Sequence, residues 1–263
     1  MLGAIIGDIA GSQFEFNPTN DYDFELFSKQ CAFTDDTICT VAIADAILKG
    51  ENYGSAVHRW CKEYPNPKGS YGCSFQRWVA SDNPTPYGSF GNGAAMRVSP
   101  VAWAFTNRDA VLEKAKATAE FTHNHPEGIK GAQTTALAIF LALQMQREDK
   151  NVDVETIINE CVGFSGYNLD IRKSIVKNKF DETCQGTVPV ALWIIRNSIS
   201  FEDAIRRAVS LGADADTLGA IVGSIAEAIW GIPQQIANKV ILYLPTDMKN
   251  VINAFEQRYG KGE

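Results

Sequence analysis

Residues 212–233 read GADADTLGAIVGSIAEAIWGIP, and this stretch decides the fold class. After Asp216 the apolar residues recur at helical spacing, with Gly219 and Gly223 on one face, and Gly231-Ile232-Pro233 closes the segment as a helix stop. The same design recurs at the start of the chain, where Gly3, Gly7 and Gly11 share one face of MLGAIIGDIAG. Glycine inside a helix costs about 1 kcal/mol against alanine, so paired glycine faces predict close backbone approach between helices. Asp8 and Glu227 interrupt the two segments, which excludes dimerisation through glycine in a membrane.

Working outward, helical periodicity predicts helices near 2–12, 36–49, 53–64, 72–81, 93–105, 108–121, 127–147, 153–163, 169–178, 185–196, 201–211, 216–230, 233–243 and 247–257. Strand-like alternation is scarce, so the expected fold is all-α. Asn107 or Asp109 before Ala110, and Ser200 before Phe201, are apt N-caps. Two stretches rich in Pro, Gly, Asn and Ser, 17–32 and 64–92, break the pattern; loops that long in a globular chain usually carry function. Neither reads as a linker and nothing repeats, so residues 1–263 are expected to form one domain.

With 45% hydrophobic and 21% charged residues, the 263-residue chain has the apolar mass for a large core. Its net charge is -7, from 31 acidic and 24 basic residues, without a Lys/Arg block, so no phosphate-backbone footprint is present. No apolar run reaches a membrane-spanning length, and the first residues lack a basic region before their apolar stretch. Cys31, Cys39, Cys61, Cys73, Cys161 and Cys184 show no C-x-x-C pair. They read as reduced thiols, and a cytoplasmic monomer is expected.

Chemistry concentrates at two acidic clusters, Thr34-Asp35-Asp36-Thr37 and Asp214-Ala215-Asp216-Thr217, each opening an apolar helix. Helix capping accounts for one oxygen per helix. Each cluster, however, offers two carboxylates flanked by hydroxyls, and adjacent carboxylates repel unless a cation lies between them. The hard-oxygen donor set selects Mg²⁺ or Mn²⁺ over zinc or iron, and convergence of the two helix starts would let the donors hold two ions. The turn Ser89-Phe90-Gly91-Asn92-Gly93 permits backbone N–H groups to approach an anion, or is merely a turn with a left-handed asparagine. His123 stands at a helix start, and Glu15 where the first helix gives way to a loop; both positions commonly have only structural or solvated roles.

Taken in order, GDIAGSQFE, FTDDT, SFGNGAAMR, THNHPEG and GADADTLGAIVGSIAEAIWGIP resemble the ADP-ribosylglycohydrolase family over about residues 2–235. The resemblance implies an all-α hydrolase with a dinuclear Mg²⁺ or Mn²⁺ centre that cleaves ADP-ribose from an acceptor. By residue, it implies metal ligation by Thr34, Asp35, Asp36, Asp214, Asp216 and Thr217. It also implies that Ser89, Phe90, Gly91, Asn92, Gly93 and His123 hold the substrate, and that Glu15 or Asp35 handles the water proton. The implied partner is ADP-ribose or an ADP-ribosylated protein or small molecule. Residues 180–189 resemble a smaller bacterial branch, so acceptor preference does not carry over. Ala213 and Glu227 depart from the family pattern without removing a ligand. A two-metal phosphatase and a catalytically silent ADP-ribose reader are the alternative functions.

Overall fold

Helical periodicity becomes helix along most of the chain. The computed structural model describes residues 1–260. Its helices are α1 (Leu2–Gly11), α2 (Asp35–Lys49), α3 (Tyr53–Glu63), α4 (Cys73–Ala80), α5 (Gly93–Met96), α6 (Ser99–Ala104), α7 (Arg108–Glu120), α8 (Pro126–Arg147), α9 (Val154–Ser165), α10 (Lys173–Val176), α11 (Cys184–Arg196), α12 (Phe201–Val209), α13 (Ala215–Trp230), α14 (Gln234–Val240) and α15 (Thr246–Tyr259). Among the described residues there is no strand, only an isolated antiparallel bridge between Gly91 and Thr183. The all-α expectation holds.

The two glycine-faced helices form the interior. Every residue of α1 is buried, as is all of α13 except Trp230. A Cβ on Gly3, Gly7 or Gly11 would fall on the backbone of Gly223, Gly219 or Ala215 respectively, so the helices touch backbone to backbone. That contact sets Asp8 of α1 beside Asp216 of α13, the first step in assembling the site. Glu227, the departure from the family pattern, accepts a hydrogen bond from Gly3 N at 2.9 Å, placing a carboxylate at the positive end of α1. Around this pair, α2, α8, α11 and α12 complete a contiguous apolar cluster that runs from Met1 to Phe255.

Several boundaries differ from the periodicity. The single helix expected over 93–105 is two, α5 and α6, with the break at Arg97 and Val98. Pro100 has no N–H to give the carbonyl of Met96 four residues back, and its ring crowds that carbonyl, so the first helix ends at Met96 and a second starts with Pro100 in its first turn. The helix expected over 169–178 shrinks to the one turn of α10, and Asn178 takes a positive φ of 58°. Asn107 and Ser200 cap α7 and α12 by accepting from Ala110 N and Asp203 N. None of the described helices is long and apolar enough to cross a membrane.

Candidate active site and metal cluster

The N-termini of α2 and α13 converge. At the start of α2, Thr34 accepts from Asp36 N, while its own N and Oγ1 donate to the Asp8 carboxylate at 3.0 and 2.8 Å. Thr37 adds two more donors to Asp8, its N at 3.1 Å and its hydroxyl. At the start of α13, Thr217 Oγ1 reaches across to Asp36 Oδ2 at 3.1 Å, and Asp214 Oδ2 accepts from Asn92 Nδ2 at 2.7 Å. Asp8, Asp36 and Asp216 each offer a carboxylate oxygen, all within 4.8 Å of one another.

Such packing of acids in the interior is electrostatically costly. Burial, then repulsion from Asp216, pushes Asp8 up to about 7. The same two causes, in that order, raise Asp36 and Asp214 well above the carboxylate range. Burial also raises Asp35 and Asp216. Among the described residues none of these five acids has an ion-pair partner. Asp36 Oδ1 and Asp216 Oδ1 are buried without any hydrogen-bond partner. Unpaired buried carboxylate oxygens are expensive, and a hard divalent cation relieves both the repulsion and the missing partners. The residues present therefore fit a metal ion.

Above the cluster opens a cleft of about 560 Å³, lined by Glu15, Asp35, Ser89, Gly91, Asn92, Gly93, His123, Asp214, Asp216 and Thr217. Thr34 and Asp36 lie buried beneath it. Glu15 is half-buried, and burial followed by repulsion from Asp216 and Asp8 pushes it up to about 8. Its Oε2 is buried with no hydrogen-bond partner, tucked against Gly69 of the 64–72 loop. His123, in the lining of the same cleft, is buried, and that burial, with the charge of Arg97 second, holds it well below the ordinary histidine value.

Two expectations are corrected here. Phe90 does not line the cleft: its ring is 43% exposed and meets the ring of His125 at 5.3 Å. The 89–93 turn is also less free to bind an anion through its backbone than its glycines imply. Gly91 N donates to Ser89 Oγ, Asn92 N to the Glu182 carbonyl and Ser89 N to the Thr122 carbonyl. The turn is braced on both sides, by the segment before α11 at Glu182 and by Thr122 after α7, which take two of those N–H groups, while Ser89 takes the third within the turn. Sequence reading also passed over Asp8 as a site residue. Its signal was present: one carboxylate in an otherwise apolar ten-residue helix, where only a functional or fully hydrogen-bonded acid is tolerated.

The chain has relatives among known proteins. The ADP-ribosylglycohydrolase family model matches residues 1–261. The chain belongs to the ADP-ribosylglycohydrolase family. It is 25% identical over 308 residues to the ADP-ribosylhydrolase ARH3 of Homo sapiens, covering 89% of this chain and 85% of that protein. It is 27% identical over 268 residues to the ADP-ribosylarginine hydrolase Tri1 of Pseudomonas putida, covering 88% and 70%. A solved structure described as an ADP-ribosylglycohydrolase-related protein complex superposes with a TM-score of 0.72 at 23% identity, over 98% of this chain and 95% of that one, and shares the fold.

Proposed function

We propose that this member of the family hydrolyses the bond between C1 of the distal ribose of ADP-ribose and an acceptor, releasing ADP-ribose. The observation that carries the reading is the pair of buried, unpartnered oxygens of Asp36 and Asp216 beneath a cleft walled by Glu15 and His123. Thr34, Asp35, Asp36, Asp214, Asp216 and Thr217 would hold two Mg²⁺ or Mn²⁺ ions. Bound ions supply positive charge and Lewis acidity toward ribose hydroxyl oxygens, and so orient the sugar.

Glu15 takes the proton of the attacking water. It stands in the cleft unrestrained by hydrogen bonds through Oε2, and its raised proton affinity suits a general base. The water oxygen bonds to C1, its proton passes to Glu15, and the electrons of the broken bond leave with the acceptor. Asp35, also at the cleft surface, is the second candidate for that role. In the same cleft, the imidazole of His123 and the Ser89–Gly93 turn would face the diphosphate and its adjoining ribose. The reading includes a cytoplasmic location, for which the support is a cysteine pattern without a C-x-x-C pair.

The test is direct. The protein is incubated with Mg²⁺ or Mn²⁺ and a panel of arginine-, serine- and nucleotide-linked ADP-ribose and O-acetyl-ADP-ribose, and the products are identified. Intact ADP-ribose is expected from at least one linkage, and chelation should abolish its release. Inorganic phosphate in place of ADP-ribose would make the protein a two-metal phosphatase. Tight ADP-ribose binding without turnover of any linkage would make it a reader.

A further inference from the structure

The lining of the cleft includes a buried cation that the catalytic reading does not use. Arg97 is 1% exposed and, among the described residues, has no carboxylate partner. Its Nε and Nη2 donate to the Thr118 carbonyl at 3.2 and 2.9 Å, and Nη2 donates to Thr122 Oγ1 at 2.7 Å. The guanidinium lies 4.6 Å from the centre of the Phe121 ring. Burying a guanidinium without a counterion is costly, so its placement calls for a reason.

The reason lies one bond further on. Thr122 Oγ1 is 2.8 Å from His123 Nδ1. A guanidinium only donates, so Arg97 occupies a lone pair of the Thr122 oxygen. The hydroxyl keeps one proton to give, Thr122 is 0% exposed, and Nδ1 is the remaining partner of that hydroxyl among the described residues. If Nδ1 carried a proton instead, the hydroxyl proton would be buried with nothing to accept it. The proton of the imidazole therefore sits on Nε2, which has no hydrogen-bond partner among the described residues. Nε2 faces the 89–93 turn: a Cβ on Gly91 or Gly93 would lie 3.4 or 3.1 Å from it.

The geometry points to Arg97 as a positioning residue that, through Thr122, fixes His123 in its neutral Nε2–H tautomer and aims that N–H into the cleft as a hydrogen-bond donor. Burial and the nearby Arg97 charge also hold the ring unprotonated, which agrees with this arrangement. The diphosphate or ribose oxygens of ADP-ribose then meet a directional, uncharged donor instead of an imidazolium. The identity of that ligand rests on the function proposed above, whereas the tautomer does not.

Nitrogen-15 NMR of histidine-labelled protein, with the His123 resonances assigned by their loss in His123→Asn, reads the tautomer at neutral pH. The expected wild-type spectrum has a pyridine-like Nδ1 and a protonated Nε2. Thr122→Val should shift His123 toward a tautomer mixture and weaken ADP-ribose binding about fivefold, and Thr122→Ser should restore both. An Nδ1–H tautomer or an imidazolium in the wild type overturns the inference, even if no variant folds. So does a wild-type His123 spectrum in Thr122→Val, the result expected if Arg97 and Thr122 merely support the fold. Failure of the wild type to bind ADP-ribose would overturn the functional reading while the spectrum still decided the relay.

Discussion

The two helix starts that build the candidate centre look alike in sequence, Thr-Asp-Asp-Thr and Asp-Ala-Asp-Thr, yet the protein holds them in different ways. The α2 start is held from below: Asp8 accepts four hydrogen bonds from Thr34 and Thr37, and Thr34 caps the helix. The α13 start has no side-chain cap and follows Gly212 at a φ of 71°. Its Asp214 is held from above, by Asn92 of the turn that lines the cleft. One half is therefore locked by the core, and the other is tied to the cleft-lining turn. Metal affinity and ligand affinity should be coupled through α13 and nearly independent through α2.

The largest expected effect treats the halves alike. Asp36→Asn and Asp216→Asn each remove a buried, unpartnered oxygen at the point where the halves meet. Both should lower kcat/KM by about 1000-fold or more together with Mg²⁺ affinity. Steady-state rates and calorimetric Mg²⁺ titration check this; full turnover by either variant would remove the metal centre from the mechanism. Glu15→Gln should separate chemistry from metal binding: kcat falls by about 100-fold while Mg²⁺ affinity stays within a few-fold of wild type. A near-normal kcat would shift the base to Asp35.

A smaller effect distinguishes the halves. Asp8→Asn turns an amide toward donors that need an acceptor, and should weaken Mg²⁺ binding by about 10- to 100-fold, the range for groups that orient metal ligands. Its ADP-ribose affinity, measured at saturating Mg²⁺, should change little. Asn92→Ala frees Asp214 and should weaken both ligands by about tenfold. Equal behaviour of the two variants toward ADP-ribose would break the distinction between core-held and loop-held halves.

This asymmetry also marks where sequence reading ends. The glycine faces of α1 and α13 were legible because helical spacing projects residues 3, 7, 11 and 219, 223 onto single stripes, and the structure buries both stripes against each other. Thr34, Asp36, Asp216 and Thr217 were legible as a group because two acidic helix starts invite a shared cation. Asp8 was not singled out, since its role depends on which helix crosses α1, a matter of tertiary contact. The bracing of the 89–93 turn was hidden for the same reason: its partners Thr122, Glu182 and Thr183 lie far along the chain. Phe90, adjacent to residues that do line the cleft, packs on His125 instead, a partner 35 residues along the chain that no local pattern announces.

The smallest expected effect concerns the wall that faces the loop-held half. His123 is held below its ordinary value by burial and by Arg97, so the unfolded chain binds a proton below about pH 6.5 that the folded protein does not. Its contribution to stability is complete above that pH and is lost as the pH falls below it, with a slope of at most about 1.4 kcal/mol per pH unit. The raised Asp8 and Glu15 carboxyls act in the opposite sense, because in the metal-free protein they bind protons on folding and gain stability as the pH falls below about 7 to 8. A melting curve of the wild type alone mixes the two. His123→Asn keeps every carboxylate and leaves an acceptor for the Thr122 hydroxyl, so the difference between variant and wild type isolates the imidazole. Denaturant titrations at pH 7.5, 6.5 and 5.5 should show the wild type losing stability relative to His123→Asn, a little between the first two and about three times as much between the last two. A constant difference across all three would mean that the ring protonates in place, and that the cleft lining gains a positive charge at His123 when the pH falls.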